Sequence, residues 1–273
     1  MIIPLMQLTY AATSLAELTG SGPTILISKS DTLENIIFDG KWTNKSEWKQ
    51  SSWDIIKSQR MESVHLRSAH QGDFIYVLLD VIADQTFDHI SDKALVCIDS
   101  KNDKTIIAGD DDYCFQASLD AKHGFVYQGG SPMALNGHFK KISNTDGFIG
   151  IGGKSDQNDR YSKIPHVSYE FKIPVELFGR SDFYGFYVHV FDASKSVYYT
   201  WPGGATPSSS FDIPSPSKWG YLVSPDKSIP EFELPFLALI PAIFLVIYLT
   251  RIRAIRMENK NNVFTKAKKS FDR

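Results

Sequence analysis

The chain has 273 residues, 22% of them charged, with a formal net charge of −2. That near balance gives no basic footprint for nucleic acid, so none is expected as a partner. Only two cysteines are present, too few ligands for a thiolate-built structural zinc site.

Taken from the N-terminus, "MIIPLMQLTYAATSLA" (1–16) is apolar and ends in small residues, with Thr9-Tyr10-Ala11 fitting a small-x-small cleavage pattern. A basic leader is missing before it. The segment therefore reads as a signal-peptide remnant, with a first strand of the domain as the other reading. Residues 24–222 are then an exported domain, large enough for one hydrophobic core.

The periodicity of that domain is strand-like. "SVHLRSA" (63–69) and "FIYVLLDVIAD" (74–84) are separated by a Gly-Asp turn. "KALVCIDS" and "DYCFQASLD" flank an acidic stretch, and "FIGIGG", "HVSYEFKIP", "FYGFYVHVFDA" and "VYYTWPGG" follow, each bounded by Gly, Pro, Asp or Ser. Short β-branched and aromatic runs at this spacing predict an all-β antiparallel sandwich. Helical patterning is confined to a turn or two in "TNKSEWKQSS" and "PVELFG".

Cys97 and Cys114 enclose an acidic loop with Asp99, Asn102, Asp103, Asp110, Asp111 and Asp112. In an exported chain the cysteines read as a disulfide on neighbouring strands, stapling the loop at its base. Two buried free thiols are the other reading. The aspartates lack EF-hand spacing, so they are either a calcium site of another kind or a solvated hairpin tip.

Enzyme signatures fail on inspection. "GFIGIGGKS" has Phe148 where a phosphate-binding loop needs glycine, no Gly-x-Ser-x-Gly elbow is present, and the seven histidines form no His-Glu-x-x-His. The chain is accordingly expected not to be an enzyme. Tryptophan and tyrosine faces suit stacking on a ligand, and Trp201, Trp42 and Tyr199 are the expected ligand-binding residues, whereas Trp48 and Trp53 are expected in the core. The triplet Asn44-Lys45-Ser46 fits a glycosylation acceptor.

After a linker at 223–233, "LPFLALIPAIFLVIYLT" (234–250) runs 17 residues without a charge. As a helix it is about 25 Å long, near the lower limit for spanning a bilayer. The tail 251–273 carries eight basic and two acidic residues, leaving −8 for residues 1–250. By the positive-inside rule the tail is cytoplasmic and the domain extracellular, giving a single-pass protein of the cell membrane.

Four segments together resemble carbohydrate-binding module family 9 and the DOMON-like extracellular sandwiches. They are "IIFDGKWTNKSEW" with Asp39, Gly40, Glu47 and Trp48, then "GDFIYVLLDVIAD", "DKALVCIDSKND" and "VSYEFKIPVELFG". The resemblance covers about residues 36–202 and implies a non-catalytic jelly-roll or DOMON-like binding module. Its ligand would be a glycan or another small extracellular molecule, with calcium as a structural ion in many members. A haem-carrying branch, disfavoured here, would need an axial ligand such as Met61, Met133 or His189. The alternative function is a surface-layer-associated structural or adhesive domain with a protein partner. Separately, "IPEF" (229–232) before the apolar span resembles an archaeal Pro-Glu-Phe surface-anchoring signal, although the tail continues further than such signals do.

Overall fold

The computed structural model describes residues 22–30, 33–57, 63–209, 212–224 and 248–251. The chain divides into two units, 1–228 and 229–273. Of the second, only a short helical stretch from Tyr248 to Arg251 is described. Among the described residues no helix is long and apolar enough to cross a membrane. The expected leader at 1–16, and nearly all of the expected span at 234–250 and tail at 251–273, lie outside the described residues.

Among the described residues the first unit has fourteen strands in two sheets. The first sheet holds β1 (Thr24–Leu26), β6 (Lys93–Asp99), β7 (Asp112–Ser118), β8 (Phe125–Gln128), β9 (Lys140–Ile142), β12 (Phe183–Asp192), β13 (Val197–Trp201) and β14 (Gly220–Val223). Its order is β1-β14-β12-β6-β7-β8-β9, with β13 continuing beside β12 where β14 stops. The second sheet holds β2 (Ser28–Lys29), β3 (Ser52–Lys57), β4 (Ser63–Gln71), β5 (Phe74–Val81), β10 (Ile149–Lys154) and β11 (Val167–Pro174). Its order is β10-β11-β5-β4-β2, with β3 also on β4. All pairings are antiparallel except β1–β14 and β2–β4.

The alternation of side chains decides what each sheet face meets. Val77, Leu79, Val167, Tyr169 and Phe171 of the second sheet meet Ala94, Val96, Ile98, Phe115, Phe186 and Val188 of the first in one dry core. The outward faces are also covered. Trp42, Trp48, Leu33 and Ile36 lie on Ala69, Tyr76 and Leu78 of the second sheet. Trp219, Ile213, Ala205 and Phe139 lie on Leu95, Cys97, Cys114 and Tyr187 of the first. Loops therefore form an outer layer on both sides of the sandwich.

The layer over the second sheet is held by Glu170 on β11. Its fully buried carboxylate accepts the backbone N–H of Asp39 at 3.0 Å and of Gly40 at 2.9 Å, and the Trp48 indole N–H at 3.0 Å. Gly40 has φ +82° and a Cβ there would meet the Gly153 nitrogen at 2.3 Å, so only glycine fits. Glu47 accepts the N–H groups of Ile37 and Thr43. The "FDGKWTNKSEW" stretch is thus a loop built to dock, and its expected helical turn is a run of turns only.

Candidate functional site

Sheet register opens a pocket on the outward face of the first sheet. Lys93 and Leu95 from β6, Gln116 from β7, Tyr127 from β8 and His189 from β12 alternate with the core residues and so project away from the core. The walls come from two loops, through Asn136 on one side and Asp212 and Ile213 on the other. The enclosed space is about 50 Å³, room for a water molecule or two. A larger ligand would sit across the mouth and send an edge inward.

The polar groups of this pocket come from four strands and two loops, and their states follow from their surroundings. His189 is buried and donates to or accepts from the Tyr187 hydroxyl at 3.1 Å. Burial, with the Lys93 charge nearby, lowers its pKa to about 3, so the ring is neutral at any physiological pH. Lys93 is itself lowered by burial. Tyr198 stands edge-on to His189 at 5.4 Å, and its buried hydroxyl has no hydrogen-bond partner among the described residues. Burial and the nearby Asp212 carboxylate push that phenol up to about 12. Across the mouth, Asn136, Gly137 and His138 are three consecutive residues at positive φ. Two of the three are not glycine, a conformation that persists only where the surroundings enforce it. Met133 and Leu135, close to Asn136 in the same loop, are exposed.

The expected ligand-binding residues do not line this pocket. Tyr199 and Trp201 lie on the core side of β13, because they alternate with Tyr198 and Thr200. Tyr199 is 1% exposed and Trp201 packs on Phe186 and over Gly220. Trp42 is 2% exposed under the outer layer of the second sheet, its indole N–H bonded to the Asn44 carbonyl. Neither Tyr199 nor Trp42 offers a free ring face. Trp48 is buried as expected, but Trp53 is 52% exposed on an edge of the second sheet, stacked with His65 and Tyr161. Arg67 lies within 6.0 Å of the Trp42, Trp53 and Tyr161 rings. Of the three candidate axial haem ligands, Met133 is exposed, His189 is in the pocket, and Met61 lies outside the described residues.

The acidic loop follows from the staple. Cys97 and Cys114 are paired directly across β6 and β7 and form a disulfide, with Cα atoms 4.1 Å apart. No free cysteine remains. Two pairs further along the same ladder, Asp99 stands against Asp112. Oxygens of Asp99, Asp103 and Asp111 converge to within 4.8 Å of one another. Asp99 Oδ1, Asn102 Oδ1, Asp111 Oδ2 and Asp112 Oδ1 are buried oxygens without a hydrogen-bond partner among the described residues. Burial, reinforced by Asp99 and Asp111, pushes Asp112 up to about 7, and Asp99 is raised for the same first cause. Lys104 does not neutralise this set by contact: its ammonium donates to the carbonyls of Trp219 and Gly220, and burial lowers its pKa to about 8. Lys101 lies 3.5 Å from Asp111 Oδ1. Asp110 is exposed, and neither it nor Asp112 belongs to the convergent trio. The remaining donors are all oxygen, which suits a hard divalent cation.

Another buried group had no sequence signal beyond composition. His166 contacts Asp80 through Nε2 and Ser155 Oγ through Nδ1 at 2.9 Å, with Asp159 4.0 Å away. Asp80 and Asp159 belong to segments 79 residues apart, and only the docking of the 155–166 loop on the second sheet brings them together.

The class defined by these observations is an all-β two-sheet sandwich with loop layers over both outward faces. No protein-family model and no curated protein sequence matches this chain. Among solved structures, it is similar to a carbohydrate-binding module family 9 domain from Caldicellulosiruptor kristjanssonii, described in complex with glucose and in complex with cellotriose. Both comparisons give a TM-score of 0.48 and 14% identity over 74% of this chain, covering 95% and 93% of the respective neighbour.

Proposed function

We propose that this chain is a non-catalytic binding module whose pocket on the outward face of the first sheet takes a polyhydroxylated ligand, a carbohydrate. The observation that carries the reading is the convergence of Lys93, Gln116, Tyr127, Asn136, His189 and Asp212 in one half-enclosed space. Hydroxyl groups both donate and accept, and this set offers both roles at short range. Acid–base work is a poor fit, because His189 is too weak a base at a pKa of about 3 and, among the described residues, no carboxylate is hydrogen-bonded to it. Stacking moves from the buried Trp42 and Tyr199 to Tyr127.

In this reading Asp99, Asn102, Asp103, Asp111 and Asp112 hold a calcium ion that fixes the stapled loop. The sequence adds a membrane anchor at 234–250, with the sandwich outside the cell and the basic tail inside. The test is a glycan array probed with the full-length chain in calcium-containing buffer. Binding to one glycan class, weakened at least tenfold by Gln116→Ala and by Asp212→Ala, supports the module. A blank array from folded protein overturns it and favours an adhesive domain with a protein partner.

A further inference from the structure

At the end of β6 opposite the acidic loop, three aspartates break the pattern of the core. The residues of β6 that face the second sheet are Ala94, Val96 and Ile98, and the next position in that alternation is Asp92. On β12 the same series, Val188 and Val190, continues to Asp192. Phe191 pairs with Lys93, so the two aspartates extend neighbouring strands by one step. Asp84, three residues after β5 of the other sheet, completes the group. All three are fully buried, and an oxygen from each lies within 4.8 Å of the others.

Local bonds account for only part of these carboxylates. Asp84 Oδ1 accepts from the Thr86 N–H and hydroxyl, but its Oδ2 has no partner. Asp92 accepts from the N–H groups of Ala193 and Asp88. Asp192 Oδ1 accepts from Ser194 and the Lys195 N–H, while Oδ2 lies 3.4 Å from the Lys195 ammonium. A fourth carboxylate, Asp88, also has a buried Oδ2 without a hydrogen-bond partner.

Tyr169 adds a separate observation. It lies on the core side of β11, is 0% exposed, and its hydroxyl has no hydrogen-bond partner among the described residues. Burial raises that phenol well above its usual range, and the charges of Asp92, Asp84 and Asp192 raise it further, which places the hydroxyl within their field. Burial, together with Asp192 and Asp92, likewise pushes Asp84 up to about 6. Four carboxylates beside one lysine leave an excess of negative charge at a dry sheet junction, where unpaired charge is strongly disfavoured.

We infer that Asp84, Asp92 and Asp192, with Asp88 at their edge and the Tyr169 hydroxyl beneath them, form a second divalent-cation site that ties the two sheets together at this end. Oxygen-only donors and several carboxylates select calcium over zinc. Asp92 and Asp99 lie seven residues apart on one strand, about 23 Å at the usual rise. The site is therefore distinct from the acidic loop and does not depend on the pocket's ligand.

The experiment uses the full-length chain carrying Asp103→Asn and Asp111→Asn, which disables the acidic loop as a competitor. After stripping with EGTA, calcium binding is measured by equilibrium dialysis. One bound equivalent is expected, and adding Asp84→Asn or Asp192→Asn should weaken it at least tenfold. In EGTA these variants should be at least as stable as their parent to urea, because each removes a repelling charge. No calcium bound by the parent, or binding unchanged by both substitutions, overturns the inference. Should a variant not fold, terbium emission sensitised by Tyr169 in the parent decides: emission displaced by calcium supports the site, and its absence overturns it.

Discussion

Reducing the Cys97–Cys114 bond should weaken the fold by an amount that the loop length sets. The bond closes a segment with a sequence separation of 17. On the chain-entropy account, releasing a loop of that size from the unfolded state gives back about 3 kcal/mol. Direct pairing of the two residues across β6 and β7 means that the native ladder needs no rearrangement on reduction. Urea unfolding of the full-length chain at pH 7, with and without a phosphine reductant and at fixed calcium, measures the difference. The midpoint should fall while the dependence on urea rises slightly, since the reduced unfolded chain exposes more surface. Replacing both cysteines by alanine should cost more than reduction, because both sulfurs are fully buried against Trp219 and Tyr187. A loss on reduction under about 0.5 kcal/mol would refute the reasoning, because the entropic term would then be absent.

Two further outcomes follow from buried carboxylates. Glu170→Ala removes the acceptor for the Trp48 indole and the Gly40 N–H, both buried, and should destabilise by about 3 kcal/mol in urea titrations. The loss should come with increased protease cleavage in the 36–48 loop. In EGTA, thermal stability should fall between pH 6.5 and pH 8, above the range in which the buried neutral His189 adds stability as pH rises. Asp84 and Asp112 are raised to about 6 and about 7, so the protonated folded form is favoured at low pH and its advantage is lost as pH climbs through those values. Asp99, Asp103 and Asp111 around Asp112 add to the repulsion, which Lys101 and Lys104 only partly offset. Millimolar calcium should flatten the decline, and a melting temperature that rises over that pH range in EGTA would contradict the signs.

The long strands were legible because their residues declare both faces. The runs at 63–69, 74–84 and 93–99 and the aromatic run at 183–192 are strands close to their expected bounds. The staple was legible for a related reason: two cysteines flanking a turn-rich stretch fall opposite each other when the flanks pair. Strands β1, β2, β8, β9 and β14 were not read. Each has two to four residues, too few for alternation to show. Strand β3 was missed for another reason. It carries Trp53 and Ile55 on an exposed face, so apolar content there does not track burial.

The site was harder to read than the fold, and β13 shows why. "VYYTW" contains two adjacent tyrosines, and composition cannot say which of them faces the core. Side chains in a strand alternate strictly, so a choice of phase made on Trp201 also selects Tyr199 and Val197. The pairing of Val190 with Tyr199 settles the phase the other way. Val190 is a core residue, its opposite number shares its face, and the residue that reaches the pocket side is Tyr198. The same rule explains the two acidic groups at the ends of β6. Asp99 continues the outward series of Leu95 and Cys97 and ends β6, buried at the base of the stapled loop. Asp92 continues the inward series and is left between the sheets with Asp192 and Tyr169. One strand thus carries two clusters of the same residue type on opposite faces, and in each the aspartates of the ladder are buried with carboxylate oxygens that find no hydrogen-bond partner among the described residues.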